Sequence, residues 1–470
     1  MKRLNQCSKH DFIRLFFGLI TIAMFVGAVC MPDRNEMFKG LEALLGSTCK
    51  AATNAFAIGG YAGTFLSGSL VCLVFTLLFC LPGASASAPS VLGFLLTMGF
   101  TLWGVTVLNM VFGILGVLVY CLVKKQAPGK QANAMLFTTA LSPLYADLLF
   151  RYPNATAQGF SWGGLALAVV VGVVVGFLVP ASLSHSPKTH KGFSLYSAAM
   201  TLGMIAFFLC AILFRIPGKM TAIAEATGDA KAVVTLPSDA FDNTIASRWI
   251  FNGFSIAVFG ICVVVAVLMG TKVKDYCKLL KHSGHGVDFV DAFGNGAFLM
   301  NVGLYGLFIV AYYNLINLVS NGTQDGVYYN AVALGCVFCM LAGCCSGSHP
   351  RNVWPSMLGY AIASFGMKAI ANYVGADYAM TLNNQTIVIG LCFCSALSPI
   401  AGSYGWLWGT VAAILHYFLV SCVPELHGGF LLYNGGFTAC LVCVVFIPVL
   451  EHFCKTKAEK KALKEGKSNT

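Results

Sequence analysis

The run Leu165–Val179 carries no charged, amide or hydroxyl side chain and is apolar on every face of a helix. Such a segment belongs in a buried core or in a bilayer, not at a water interface. About ten comparable runs recur along the 470 residues, and a bilayer takes about 20 apolar residues per helical crossing. A chain that is 57% hydrophobic and 10% charged is therefore an all-α, polytopic membrane protein. Barrel strands alternate polar and apolar residues, which these runs do not. The net charge of +11 does not imply nucleic acid, because the basic residues cluster beside the apolar runs, where they set orientation in a lipid bilayer. Most of the 19 cysteines lie inside apolar runs and read as reduced packing residues. Cys336-Val-Phe-Cys339 and Cys440-Leu-Val-Cys443 lack a polar partner pair, so no metal or other cofactor is expected.

The second half replays the first. Gly60 and Ser67 are echoed by Gly294 and Asn301 at a shift of 234, and Gly104, Asn109 and Gly116 by Gly347, Asn352 and Gly359 at 243. Ala140-Leu-Ser-Pro143 recurs verbatim as Ala396-Leu-Ser-Pro399, and Gly192-Phe-Ser-Leu-Tyr196 as Gly429-Phe-Leu-Leu-Tyr433. Ordered marks at drifting shifts mean duplication with loops of different length. The divisions expected are a first membrane repeat at 1–216, a polar extracytoplasmic connector at 217–248, a second repeat at 249–452 and a basic tail at 453–470.

Charge decides the relative orientation of the copies. If Val91–Val123 is a re-entrant hairpin, each copy has five crossings, and an odd number turns the second copy upside down. With both termini cytoplasmic, the inside segments then hold 19 of the 29 basic residues. The expected fold is about ten transmembrane helices in two inverted five-helix repeats, each with a re-entrant or broken-helix hairpin.

The stretch Ser346–Gly359 concentrates His349, Pro350, Arg351, Asn352 and Pro355 between two apolar arms. Proline breaks a helix, and a broken helix at membrane depth is tolerated where protein or a water-filled cavity satisfies the freed backbone. An intramembrane Arg351 would mark a functional site. The inverted copies would bring this turn and the one at Asn109 toward each other near the bilayer midplane, where transporters bind solute. Candidate solute-binding residues are His349, Arg351, Asn352, Asn109, Ser142, Ser398, Asn301 and Asn434. Asn295, Asp291 and His416 are further polar groups: Asp291 is equally compatible with a membrane boundary, and His416 reads as a satisfied packing histidine. Tyr196 and Tyr433 read as interfacial anchors.

The pattern Gly347 to Gly359, with the Leu-Ser-Pro and Gly-Phe-x-Leu-Tyr-Asn marks, resembles a bacterial family of two-repeat membrane proteins carried as a domain of unknown function. The resemblance spans roughly residues 10–450 and implies a duplicated membrane domain without naming a substrate. Five-plus-five inverted repeats are also similar in architecture to urea transporters, a likeness of fold alone. The function expected is a transporter or channel for a small polar solute, an anionic one if Arg351 binds it, in the cytoplasmic membrane of a bacterium. Its partners are the solute and the lipid bilayer, a homo-oligomer is compatible, and the chain is not expected to be an enzyme. The alternatives are an intramembrane enzyme using Ser398 with His416, and a sensing or structural membrane protein.

Overall fold

The computed structural model describes residues 2–48, 53–152, 159–214, 247–319, 329–382 and 384–468. Among these residues every regular element is helical. The first half comprises α1 (Lys9–Cys30), α2 (Met37–Leu45), α3 (Ala55–Leu78), α4 (Ala88–Thr101), α5 (Val107–Val123), α6 (Ala132–Thr138), α7 (Ser142–Phe150), α8 (Trp162–Ser182), α9 (Ser186–Thr189) and α10 (Ala198–Phe214). The second comprises α11 (Arg248–Leu268), α12 (Val273–Leu279), α13 (Phe289–Val319), α14 (Ala331–Leu341), α15 (Pro350–Val374), α16 (Gln385–Cys394), α17 (Ser398–Tyr404), α18 (Trp406–Val420), α19 (Pro424–His427) and α20 (Asn434–Phe453). Each helix of the first half has its counterpart ten elements later. The polar tail forms α21 (Lys457–Ser468). Nearly all of the connector expected at 217–248 lies outside the described residues.

Seven helical segments among the described residues are long and apolar enough to cross a membrane, so the chain is a multi-pass membrane protein by length and composition. The helices pack closely because small residues meet. Gly116 on α5 faces Gly172 and Gly176 on α8, leaving no room for a Cβ at any of the three. Between helices in lipid, such backbone approach replaces the hydrophobic drive available in water.

The halves share backbone detail. Both α3 and α13 kink at a glycine with positive φ, Gly60 (φ 64°) and Gly294 (φ 83°). At Gly60 a Cβ would collide with the Asp33 carboxylate, which accepts from the N–H groups of Tyr61 (2.7 Å) and Ala62 (3.1 Å) and so caps the straight part of α3. In the other half Asn5 caps Gly296 at 3.1 Å. Ala55 N–H donates to Leu102 (3.3 Å), as Phe289 N–H does to Cys345 (2.9 Å).

The short helices α4 and α14 run antiparallel along their whole length. Trp103, just past α4, donates from its indole to Val332 at the start of α14 (3.0 Å), and Ser346, past α14, donates to Ala88 at the start of α4 (3.4 Å). One face of the molecule, here the terminal face, holds the start of α1 and the end of α20. Lys9 pairs there with Asp288 (3.3 Å) and Asp291 (2.5 Å), and Lys191 with Glu451. The pair α4–α5 is a hairpin that starts and ends on this face, since Gly129 beyond α5 packs on Leu81 and Pro82 ahead of α4.

Candidate functional site

Two kinds of helix break exist, and they differ in position. The turns at 102–106 and 342–349 are hairpin tips at opposite ends of the α4/α14 pair, because Trp103 lies beside Val332 while Ser346 lies beside Ala88. They do not face one another at the midplane, which corrects the expectation for Asn109 and Asn352. The antiparallel pairing of two equally short helices forces the two tips apart. Both asparagines are buried and spend their amides on the tips themselves. Asn109 accepts from Thr106 N–H (2.9 Å) and donates to Gly104 (3.0 Å); Asn352 accepts from His349 N–H (3.0 Å) and donates to Gly347 (2.9 Å) and Ser283 (3.3 Å).

Arg351 is a second correction. It is exposed at the first turn of α15 on the terminal face, where the hairpin tip leaves its guanidinium outside the protein interior. His349 is buried, donates from Nε2 to the His282 carbonyl (3.0 Å) and stacks on Phe289. Asp291 is exposed and paired with Lys9, and Asn295 holds the carbonyls of Leu4 and Cys7. Asn434 donates to Val420 (3.2 Å) and accepts from His427 (2.9 Å). His416 is fully buried and satisfied: Nε2 donates to Gly435 (2.8 Å), so Nδ1 accepts from Tyr360 (2.6 Å).

The breaks that tie the two halves together are the Ala-Leu-Ser-Pro turns between α6 and α7 and between α16 and α17. Each has a 3-10 turn followed by proline in the first turn of the next helix, and each frees a carbonyl. Leu432 N–H takes that of Ala140 (2.9 Å), and Leu195 N–H that of Ala396 (3.1 Å), so each half sends its Gly-Phe-x-Leu-Tyr segment into the break of the other. Tyr196 and Tyr433 follow these leucines, are fully buried and lie 5.7 Å apart by ring centroid. They are central rather than interfacial, because the preceding leucine is tied to a buried helix break.

The two tyrosines differ in their surroundings. Tyr196 donates to the Cys339 carbonyl (2.7 Å) and shares a hydrogen bond with Ser395 (2.8 Å). A polar chain continues there, with Ser348 bonded to Ser398 (3.0 Å) and Asn301 donating to Cys344 (2.8 Å) and Ser348 (2.9 Å). Among the described residues the Tyr433 hydroxyl has no hydrogen-bond partner, and neither has that of buried Ser142. Tyr433 lines a narrow void with Thr97, Thr139, Gly93, Phe100, Phe137 and Ala140, too tight for water in this state.

A cavity of about 490 Å³ opens on the terminal face above that void, lined by Asn133, Ser184, Ser194, Ser197, Asp288 and Ser346 among others. Phe137 belongs to both linings, so the cavity and the void adjoin at this residue. Asp288 is the one charged residue of the cavity wall, and its carboxylate is engaged by Lys9 and by the N–H groups of Ala88 (3.0 Å) and Val290 (3.0 Å). Beside the cavity, burial first and His285 second push His190 down to about 4, leaving a neutral ring whose Nδ1 accepts from Ser194 N–H.

A family profile described as protein of unknown function (DUF1576) matches residues 33–215 and again residues 268–452. The chain belongs to the DUF1576 family. The two DUF1576 matches start after α1 and at the end of α11, and they cover α2–α10 and α12–α20, the same helices that correspond in the structure. No curated protein and no solved structure matches the chain, so the likeness to urea transporters gains no support.

Of the eight solute-binding candidates, Ser142 opens α7 directly after the Ala140 break, while Ser398 and Asn301 sit in the polar chain around Ser348. None of the eight belongs to the lining of the cavity or of the void among the described residues. The sequence reading passed over Thr97, Phe137, Thr139 and Asp288. A signal existed for Thr139: the residue before each Ala-Leu-Ser-Pro mark is a hydroxyl, Thr139 in one copy and Ser395 in the other.

Proposed function

We propose that this protein is a transporter or channel for a small polar solute, in the cytoplasmic membrane of a bacterium. The observation that carries the reading is the cavity on the terminal face, a largely apolar wall set with Asn133, Asp288 and several serines, which shares Phe137 with the void at the Ala140 helix break. Solute sites in duplicated transporters lie where the repeats meet and helices are interrupted, and the mutual insertion of Leu195 and Leu432 is such a place. With Arg351 exposed, the case for an anionic solute loses its basis.

In this reading the copies are inverted, with ten full crossings and two hairpins, and the terminal face is cytoplasmic. The antiparallel run of α4 along α14 and the clusters around Lys9, Lys130, Lys191, Lys278 and Lys457 support it. Enzymatic use of Ser398 with His416 is disfavoured, because both nitrogens of His416 are committed to Tyr360 and Gly435. Purified protein in liposomes should pass small polar solutes faster than empty liposomes do. Rates equal to the lipid background across neutral, anionic and cationic solutes would refute transport.

A further inference from the structure

We propose that Tyr433, Thr97 and Thr139 form a binding subsite for a small, uncharged polar solute that enters past Phe137. This rests on the transport reading and specifies its substrate class. The starting observation is an asymmetry between equivalent places. Tyr196 and Tyr433 hold matching positions in the two copies, and so do Ser395 and Thr139. On the Tyr196 side the hydroxyls are bonded to each other and to backbone. On the Tyr433 side a buried hydroxyl has no partner among the described residues, and the same residue lines a narrow void. Leaving a buried hydroxyl unpaired is costly, and such a group persists where a ligand completes it.

The free capacity defines what fits. Thr139 donates to the Leu136 carbonyl (2.7 Å), so in its 3.0 Å contact with Thr97 it accepts. Lone pairs on both threonines and the whole Tyr433 hydroxyl remain, offering acceptors and one donor. The solute must therefore both donate and accept. Among the described residues no cation or carboxylate lines the void, and the Asp288 carboxylate above it is already taken by Lys9 and three backbone N–H groups. An ion would lose its hydration there with nothing to replace it. Gly93 sets the width: a Cβ at this position would run into the side chains of Leu136 and Phe137.

The test uses the full chain in liposomes with acetamide, urea and glycerol as neutral probes, formate as anion and methylammonium as cation. At least one neutral probe should cross faster than through empty liposomes, while the ions do not. Tyr433→Phe and Thr97→Val should each slow that probe by roughly tenfold, the loss of one solute hydrogen bond. Tyr433→Phe should keep or raise the melting midpoint, since it deletes an unpaired buried hydroxyl; slow flux with unimpaired stability separates solute binding from a folding defect. Gly93→Ala should also slow entry. Transport of formate or methylammonium but of no neutral probe would overturn this assignment while leaving transport standing. Neutral flux unchanged in Tyr433→Phe and Thr97→Val would overturn the subsite, and no flux of any probe would overturn both readings.

Discussion

Leu432 donates its backbone N–H to the Ala140 carbonyl at 2.9 Å, closing a helix break in the opposite half of the chain, and Leu195 does the same for Ala396 at 3.1 Å. The two bonds make the halves interdependent at their centre. Neither half can be withdrawn without exposing a broken helix turn in an apolar interior, where an unpaired backbone group costs several kcal/mol, on the order of the values for lipid.

The tyrosines that follow these leucines should respond in opposite ways to loss of their hydroxyls. Tyr196→Phe removes the hydrogen bonds to Ser395 and to the Cys339 carbonyl and should cost about 1 kcal/mol, measured by thermal unfolding in detergent. The stability loss should exceed that of Tyr433→Phe; equal midpoints for the two variants would contradict the asymmetry.

Asn109 and Asn352 cap the two hairpin tips. Replacing either with alanine should lower stability by about 1–2 kcal/mol. Asn352→Ala should be the worse of the two, because its amide also holds the Ser283 carbonyl. Neither change should affect solute flux selectively in the variant that remains folded. A flux defect at full stability would return the tips to the solute pathway.

Gly116 lets α5 lie against α8 at Gly172 and Gly176. Gly116→Val should prevent that approach and cost about 3 kcal/mol or more, since the obstacle is backbone and cannot rotate away. The yield of monodisperse protein after detergent extraction reports it. Normal yield and melting would mean that α5 and α8 do not pack at these glycines.

His190 is held neutral, its value lowered to about 4 chiefly by burial, while an unfolded histidine titrates near 6.5. The unfolded chain then binds more protons between these values, so stability is full above about pH 6.5 and falls as pH drops toward 4. At pH 5 the loss from this group is about 2 kcal/mol. His190→Gln should flatten that part of the pH–melting curve. An unchanged slope between pH 7 and 5 would show that His190 takes no part.

The proposed topology, with the terminal face cytoplasmic, is open to a direct test of sidedness. On a cysteine-depleted background, an impermeant thiol reagent added outside cells should label Asn35→Cys, beyond the far end of α1, and miss Lys278→Cys on α12. The reverse pattern would turn the protein over, and labelling of both would break the assignment of faces.

Much of the architecture is determined by the sequence alone. Apolar runs such as Leu165–Val179 leave lipid-embedded helices as the outcome, and the order of Gly60, Gly104, Ala140 and Gly192 against their later copies reveals the duplication, because backbone needs a glycine or a proline break at the same places twice. Asn109 and Asn352 stood out in the sequence as solute-binding candidates, whereas the structure spends both amides on capping within five residues. What only the tertiary structure decided is which breaks tie the halves together. Two short antiparallel helices, α4 and α14, carry the conspicuous Asn352 turn to the terminal face, so Arg351 is exposed, while the plainer Ala-Leu-Ser-Pro turns are each closed by the opposite half through Leu432 and Leu195. That outcome depends on contacts between residues hundreds of positions apart. The unpaired hydroxyl of Tyr433 beside the void follows from the same packing, since nothing in the repeated Gly-Phe-x-Leu-Tyr mark distinguishes it from its bonded twin Tyr196.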